Sequence, residues 1–119
     1  MNSKKKGDLG LGKAIAYYTT MGYSVSIPLT DSQDYDLVVE IDKELKKVQV
    51  KYTSYKPNKS YVAYFAVRGG TAGKITKQAE DVDFDILFVT TDSGECWSIP
   101  RSNCGRGVIL NKSKDEFRV

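Results

Sequence analysis

Residues 35–53 read YDLVVEIDKELKKVQVKYT, and this stretch decides the fold. Apolar residues recur at every second position over 35–41 and again over 46–53, which is the spacing of half-buried β-strands. Only residues 42–45 separate the two runs, so the chain must reverse its direction there. The sequence therefore predicts two strands joined as a hairpin.

The second strand of this hairpin has two chemically different faces. Val48 and Val50 point to one face, whereas Gln49 and Lys51 point to the other. The valines are expected to be buried in the core. The short hairpin then brings the opposite face, with Gln49 and Lys51, next to Asp36 at the start of the first strand. A carboxylate, an amide oxygen and an ammonium group together suit metal-assisted phosphodiester hydrolysis, in which oxygens hold Mg²⁺ and a cation orients water and stabilises charge. The competing interpretation is a turn residue at position 36 and solvated strand residues at positions 49 and 51.

Outside the hairpin, apolar periodicity predicts one helix and further strands. Residues 9–21 have helical spacing, with Asp8 as the N-cap and Gly22 just beyond the last turn. The other predicted elements are strands over 23–27, 61–67, 84–90, 95–99 and 108–110, and a loop with a short helix over 71–82. This order indicates one α/β (α+β) domain over residues 1–119, with a mixed central sheet flanked by helices. Residues 1–6 are expected to form a basic, solvated arm.

The residue counts exclude several classes of function. The chain has no His, which excludes Ser/His/Asp and Cys/His catalysis and His-ligated zinc within one subunit. Its 2 Cys are too few for a four-cysteine zinc site and are typical of a reduced, cytoplasmic protein. No apolar run has the length of a membrane span, and the basic start lacks the apolar core of a signal peptide. We therefore expect a cytoplasmic protein that does not bind membranes.

The net charge of +3 conceals a strong segregation along the chain. Residues 43–77 hold nine basic and one acidic side chain, a net charge of +8, while the segments on either side are both negative. Tyrosines alternate with these lysines, a composition typical of a surface that binds nucleic acid. The alternative is a solvated lysine-rich hairpin whose tyrosines alternate between core and solvent. The side chains predicted to contact DNA are Lys46, Lys47, Tyr55, Lys56, Lys59, Arg68 and Lys74.

The acid at position 36 and the Gln49-Val50-Lys51 run resemble the motif of the PD-(D/E)xK nuclease superfamily. The surrounding residues are similar to one branch of it, the group I intron-associated PD-(D/E)xK homing endonucleases of cyanobacterial type. The similar segments are Lys6-Gly7-Asp8, Gly22-Tyr23, Pro28-Leu29, Tyr35 to Val38, Val48 to Tyr52 and Cys96 to Pro100. The resemblance implies a restriction-endonuclease-like core, site-specific cleavage of double-stranded DNA, dependence on Mg²⁺ and a homo-oligomer.

Two positions depart from the pattern of the superfamily. Gln49 stands where most members have an acid, although the resembled branch tolerates Gln there. Leu11 stands where the resembled branch has a Glu on its first helix, which leaves Asp36 as the only certain carboxylate of the site. Three explanations are open for position 11: a variant with impaired activity, a natural site that uses Asp8 or a DNA phosphate instead, or a different alignment of the helix.

The sequence thus leads to a specific hypothesis. Asp36, Gln49 and the Val50 carbonyl hold Mg²⁺ against the scissile phosphate, while Lys51 positions and deprotonates the water. Because each site can cut one strand, cleavage of both strands requires at least two subunits on a near-palindromic target. The homo-oligomer is expected to be a dimer or a tetramer. The alternatives are a Holliday-junction resolvase or restriction-type nuclease of the same superfamily, and a DNA-binding module without activity.

Overall fold

A five-stranded mixed sheet forms the centre of the protein, in a computed structural model that describes residues 1–65, 67–69, 74–77 and 81–119. The order of its strands is β1, β2, β3, β7, β8. Its members are β1 (Ser24–Ser26), β2 (Leu37–Ile41), β3 (Glu44–Thr53), β7 (Ile86–Thr91) and β8 (Cys96–Pro100). Strands β3 and β7 run parallel, and the other neighbours are antiparallel. The predicted mixed α/β architecture is therefore confirmed.

The predicted hairpin is formed by β2 and β3, with Leu37 opposite Val48. The turn is tighter than predicted, because only Asp42 and Lys43 lie outside the strands and both have positive φ angles, 52° and 69°. Two consecutive residues with positive φ give a turn whose twist matches that of the strands it joins. Glu44 therefore already belongs to β3.

The N-terminal helix, α1 (Ser3–Thr20), begins earlier than the sequence predicts. Its N-cap is Asn2, whose side chain accepts a hydrogen bond from the Lys5 backbone N–H at 2.9 Å. The prediction of Asp8 as N-cap was wrong, and the lysines of residues 1–6 lie in the first helical turns rather than in an arm. The predicted end is confirmed, since Gly22 has a φ of +87° just beyond the helix.

Different elements pack on the two faces of the central sheet. Helix α1 lies on one face, where Ala14 and Tyr18 pack with Leu37, Val48 and Phe88. The other face is covered by a two-stranded sheet, β4 (Tyr61–Tyr64) paired with β9 (Gly107–Leu110), whose inner side chains join a second core cluster. The second cover is thus built from strands.

Two predicted boundaries in the middle of the chain need correction. The strand predicted over 61–67 ends at Tyr64, and a separate strand, β5 (Val67–Gly69), pairs with β6 (Lys74–Lys77). Residues 74–77 are therefore a strand and not part of a loop with a short helix. Of the predicted 71–82 segment, residues 71–73 and 78–80 lie outside the described residues. Among the described residues, no helix has the length and apolarity needed to span a membrane.

Candidate active site

Asp36 lies where β3 extends past the start of β2. Among the described residues, β2 pairs with β3 only as far as Val48, and the Asp36 N–H donates to the Val48 carbonyl at 2.8 Å. Two residues further along β3, the Val50 N–H donates to Asp36 Oδ2 at 2.7 Å. The carboxylate thus takes the place of a backbone acceptor at the free edge of β3.

The same edge also presents the carbonyl of Val50. In a strand, the N–H and C=O of one residue point toward the same neighbouring strand. Because the Val50 N–H points to Asp36, the Val50 C=O points to the same side of β3. A carboxylate and a backbone carbonyl therefore lie on the same edge of β3.

Gln49 and Lys51 lie on the face of β3 that is opposite to α1. Their parallel partners on β7 are Leu87 and Val89, which belong to the second core cluster. Gln49 Nε2 is 3.5 Å from Asp36 Oδ2, so the amide contacts the carboxylate directly. The charge of Lys51 acts on the same carboxylate, so the structure brings the three sequence-predicted side chains near one another.

Desolvation affects both charged groups of this site. It raises the pKa of the Asp36 carboxyl above its ordinary value, against the lowering effects of the Val50 N–H and of the Lys51 charge. It lowers the pKa of the Lys51 ammonium, against the raising effect of Asp36. A half-buried lysine with a lowered pKa gives up a proton more readily than one in water.

Leu11 lies at the same site as Asp36. A depression of about 190 Å³ is lined by Leu11, Pro28, Thr30, Asp31, Gln33, Tyr35 and Asp36. The helix position at which the resembled branch has a Glu therefore lines the same depression as Asp36. Asp8 lines a different depression, together with Met1, Lys5 and Leu9, so the structure does not bring Asp8 to the site.

The loop over residues 28–36 is held in place by polar contacts. Gln33 Nε2 donates to the Thr30 carbonyl at 2.6 Å, and Asp34 Oδ2 accepts from the Asp83 N–H at 2.9 Å. This loop also carries Asp31, which lines the same depression as Asp36 and was not predicted from the sequence to do so. Loops have no periodicity from which the position of a side chain can be predicted.

Two of the seven predicted DNA contacts are engaged within the protein. Lys46 forms an ion pair with Glu44 at 2.8 Å. Lys47 forms an ion pair with Asp83, also at 2.8 Å, and its ammonium lies 5.8 Å from the Tyr35 ring centroid. These two lysines therefore stabilise the local structure around the site.

Three other predicted contacts lie on or near the β4–β9 pair. The exposed Tyr55 and Tyr64 rings pack together, 6.3 Å apart. Lys56 lies 4.8 Å from the Tyr61 ring, and Lys59 lines a groove of about 700 Å³. The structure brings Tyr55, Lys56 and Lys59 into one region. The side chains of Arg68 and Lys74 lie outside the described residues.

The donor set of this site suits a hard cation only in part. Among the described residues there is no group of three or more Cys, Asp or Glu side chains able to hold a metal. At the free edge of β3 the oxygen donors are the Asp36 carboxylate, the Val50 carbonyl and, if its amide turns over, the Gln49 side chain. These are oxygen ligands that Mg²⁺ accepts, but with a single charge among them.

Comparison with known proteins places these observations in a family. A family model described as PD-(D/E)XK endonuclease matches residues 1–112. Among solved structures, the chain is similar to a bacterial homing endonuclease, I-Ssp6803I, with 24% sequence identity and a TM-score of 0.77. The match covers 99% of this chain and 89% of that chain, and it shows a shared fold. Comparison with curated proteins found no match.

Proposed function

The chain belongs to the PD-(D/E)XK endonuclease family, and from this premise we propose that it cleaves double-stranded DNA at a specific site, as a homing endonuclease dependent on Mg²⁺. The observation that carries the proposal is the contact of Asp36 with Gln49 and the Val50 N–H at the free edge of β3, beside Lys51. The fold shared with I-Ssp6803I supports the homing type of activity.

Asp36, the Val50 carbonyl and Gln49 would hold the Mg²⁺ ion. When bound, the ion polarises the scissile phosphate and lowers the pKa of a coordinated water. The Val50 N–H fixes Asp36 through Oδ2, so that the carboxylate keeps its orientation without a bound ion. Gln49 would present Oε1, which requires its amide to turn over from the orientation that faces Asp36.

Lys51 would supply the cationic group of the reaction. Its ammonium can donate hydrogen bonds to a phosphate oxygen and to the attacking water, which stabilises the negative charge of the transition state. Burial lowers the pKa of this ammonium, so it gives up a proton more readily than a lysine in water. Desolvation of this lysine therefore favours its role in removing a proton from the water.

The first experiment measures cleavage of duplexes that carry candidate insertion sites, in the presence of Mg²⁺. We expect Asp36→Ala and Lys51→Ala each to reduce the rate about 100-fold or more, because each removes a group that acts on the transition state. Lys112→Ala, an exposed lysine outside the site, is the matched control and should keep the rate of the parent chain. Unchanged cleavage by both site variants would show that the site assignment is wrong.

The number of subunits follows from the number of sites. With one site in each chain, cleavage of both strands requires at least two copies related by two-fold symmetry, and hence a near-palindromic target. A dimer or a tetramer meets this requirement. We propose such a homo-oligomer on double-stranded DNA.

A DNA-binding module without activity is the second candidate. Leu11 favours it, since this apolar side chain lines the Asp36 depression where the resembled branch has a Glu. Binding of duplex DNA without cleavage in Mg²⁺ would support this candidate, and cleavage that appears only in Leu11→Glu would identify the missing ligand. Preferential cleavage of four-way junctions or of short, frequent sites would instead indicate a resolvase or a restriction-type nuclease.

A further inference from the structure

The two residues before Asp36 are each held by a contact from elsewhere in the fold. Asp34 Oδ2 accepts a hydrogen bond from the Asp83 N–H at 2.9 Å. The ring centroid of Tyr35 lies 5.8 Å from the Lys47 ammonium, close enough for a cation–π contact. The position of Asp36 at the start of β2 therefore depends on groups that belong neither to β2 nor to the loop before it.

Lys47 and Asp83 join these two contacts to each other. Lys47 Nζ donates to both carboxylate oxygens of Asp83, at 2.8 and 2.9 Å. The backbone of Asp83 thus holds Asp34, while the ammonium that is bound to its side chain lies against the ring of Tyr35. Two consecutive residues are therefore held by one ion pair.

Asp83 is itself anchored to the core and to β3. Its neighbours Val82 and Phe84 are 3% and 5% exposed, and both belong to the second core cluster. Two residues further, the Asp85 N–H donates to the Lys47 carbonyl at 2.8 Å, and Asp85 Oδ2 accepts from the Lys47 N–H at 2.9 Å. The ion pair therefore connects the residues before Asp36 to a part of the fold that is fixed by packing and by backbone hydrogen bonds.

The Lys47–Asp83 pair fixes local geometry more than it adds to the free energy of unfolding. The two side chains are 39% and 60% exposed. Exposed ion pairs contribute little to that free energy, because water screens the charges and both side chains lose conformational freedom. The ammonium of Lys47 is also directed at a carboxylate and a ring of its own chain, so it is poorly placed to contact a DNA phosphate.

We propose that Lys47 and Asp83 are positioning residues for Asp36, and that they hold the segment before it so that the carboxylate stays bound to the Val50 N–H. This inference rests on the proposed function, because a fixed Asp36 matters only if its carboxylate acts in cleavage. Small displacements of a reacting group reduce reaction rates strongly, so groups that prevent them are needed for activity. Lys47 thereby has a role within the site in place of the predicted contact with DNA.

The first test measures how firmly Asp36 is held and requires no cleavage. Because the Val50 N–H donates to Asp36 Oδ2, its exchange with solvent deuterium, followed by NMR on the full chain, reports the persistence of that contact. We expect Lys47→Met and Asp83→Asn each to raise this exchange rate about 10-fold, with no comparable change for amides of the β7–β8 ladder. Glu44→Gln, the matched control, breaks the 2.8 Å ion pair at the start of β3 and should leave the rate unchanged.

The second test distinguishes positioning from contact with DNA. At saturating duplex and Mg²⁺, Lys47→Met and Asp83→Asn should each lower the single-turnover cleavage rate about 10-fold or more, as is usual when a group that supports a metal ligand is lost. The Kd for DNA should change little. Lys47→Arg should restore most of the rate, because a guanidinium can both pair with Asp83 and lie against the Tyr35 ring. The opposite pattern would overturn the proposal: weaker DNA binding at an unchanged rate in Lys47→Met, and tighter binding at an unchanged rate in Asp83→Asn.

Failure of this inference can be separated from failure of the proposed function. If Asp36→Ala abolishes cleavage but Lys47→Met and Asp83→Asn keep both the parent rate and the parent Val50 exchange, only the positioning role is wrong. A lower melting temperature of these two variants with unchanged exchange and rate would show a purely structural ion pair and would also overturn it. If Asp36→Ala cleaves like the parent chain, the proposed function is wrong, and exchange of the Val50 N–H still tests whether the pair holds Asp36.

Discussion

At the scale of single residues, the site combines structural and chemical roles in the same side chains. Asp36 completes the edge of β3 through the Val50 N–H and also presents its charge to the depression. Lys51 lies half-buried beside it, although the packing at that position does not require a charged group. Such a group is retained at some loss of stability, which is common where function needs a desolvated charge.

Lys51→Met should therefore stabilise the folded protein. Desolvation lowers the pKa of Lys51, so the folded state disfavours the ammonium relative to the unfolded chain. We expect a gain of about 1 kcal/mol in the free energy of unfolding at pH 7, the scale of other gains at strained functional sites. The measurement is urea unfolding followed by fluorescence of Trp97.

The pH dependence of this gain follows from the sign of the shift. A lowered pKa in the folded state means that the penalty is present wherever the lysine is charged, and that it disappears as the pH rises past the ordinary value of 10.5. The stability of the parent chain should thus approach that of Lys51→Met in alkaline solution. A difference that grows with rising pH, or a loss of stability at pH 7, would contradict this account.

At the scale of elements, β3 organises the site. One of its edges pairs with β2 only up to Val48, whereas the other pairs with β7 from Val48 to Thr53. The free part of the first edge is where Asp36 binds. On the α1 side of β3, Gly10 allows the helix to approach, because a Cβ there would lie 3.3 Å from Val50 Cγ1.

A larger side chain at Gly10 should push α1 away from β3. We expect Gly10→Val to lower the free energy of unfolding by about 1 to 3 kcal/mol, the usual effect of overpacking a core. Gly12→Val is the matched control, since a Cβ at Gly12 meets nothing within 4 Å, and valine is a somewhat better helix former than glycine. Urea unfolding of both variants gives the comparison, and equal stability changes would show that the close approach is not required.

At the scale of the whole molecule, the charge of the central segment is only partly available to a ligand. Lys46 and Lys47 are paired with acidic groups, which leaves Lys56 and Lys59 as predicted phosphate contacts among the described side chains. Both lie near the exposed tyrosine pair beside the β4–β9 sheet. We therefore place the proposed DNA contact on the surface formed by these two lysines and the tyrosine pair.

DNA affinity should fall steeply as salt increases. Each phosphate contact adds about 0.9 to the slope of log K against log salt for duplex DNA, because bound counterions are released. Lys59→Ala should reduce that slope by about one, whereas Lys46→Ala, whose ammonium is paired with Glu44, should change it little. Fluorescence anisotropy of a labelled duplex from about 50 to 200 mM salt measures both slopes, within the range where such effects are large. A flat salt response would remove this surface from the proposal.

The pattern of residues was enough to predict the hairpin, the mixed architecture and the face of β3 that Gln49 and Lys51 share. These features depend on local alternation, which the chain carries in its order of residues. The end of α1 was equally predictable, because Gly22 suits the positive φ found just beyond the helix. The start of α1 could not be predicted, because Asn2 and Asp8 are equally suitable as N-cap residues.

The residues that share the depression at Asp36 became known from the three-dimensional packing alone. Leu11 lies on a helix, 25 positions before Asp36 in the chain, and Asp31 lies in a loop, 5 positions before it. Both line the same depression as Asp36. The packing of α1 on β3 and the tethering of the loop to Asp83 bring them there. Such contacts depend on the three-dimensional packing of separate elements, and no periodicity in the sequence encodes them.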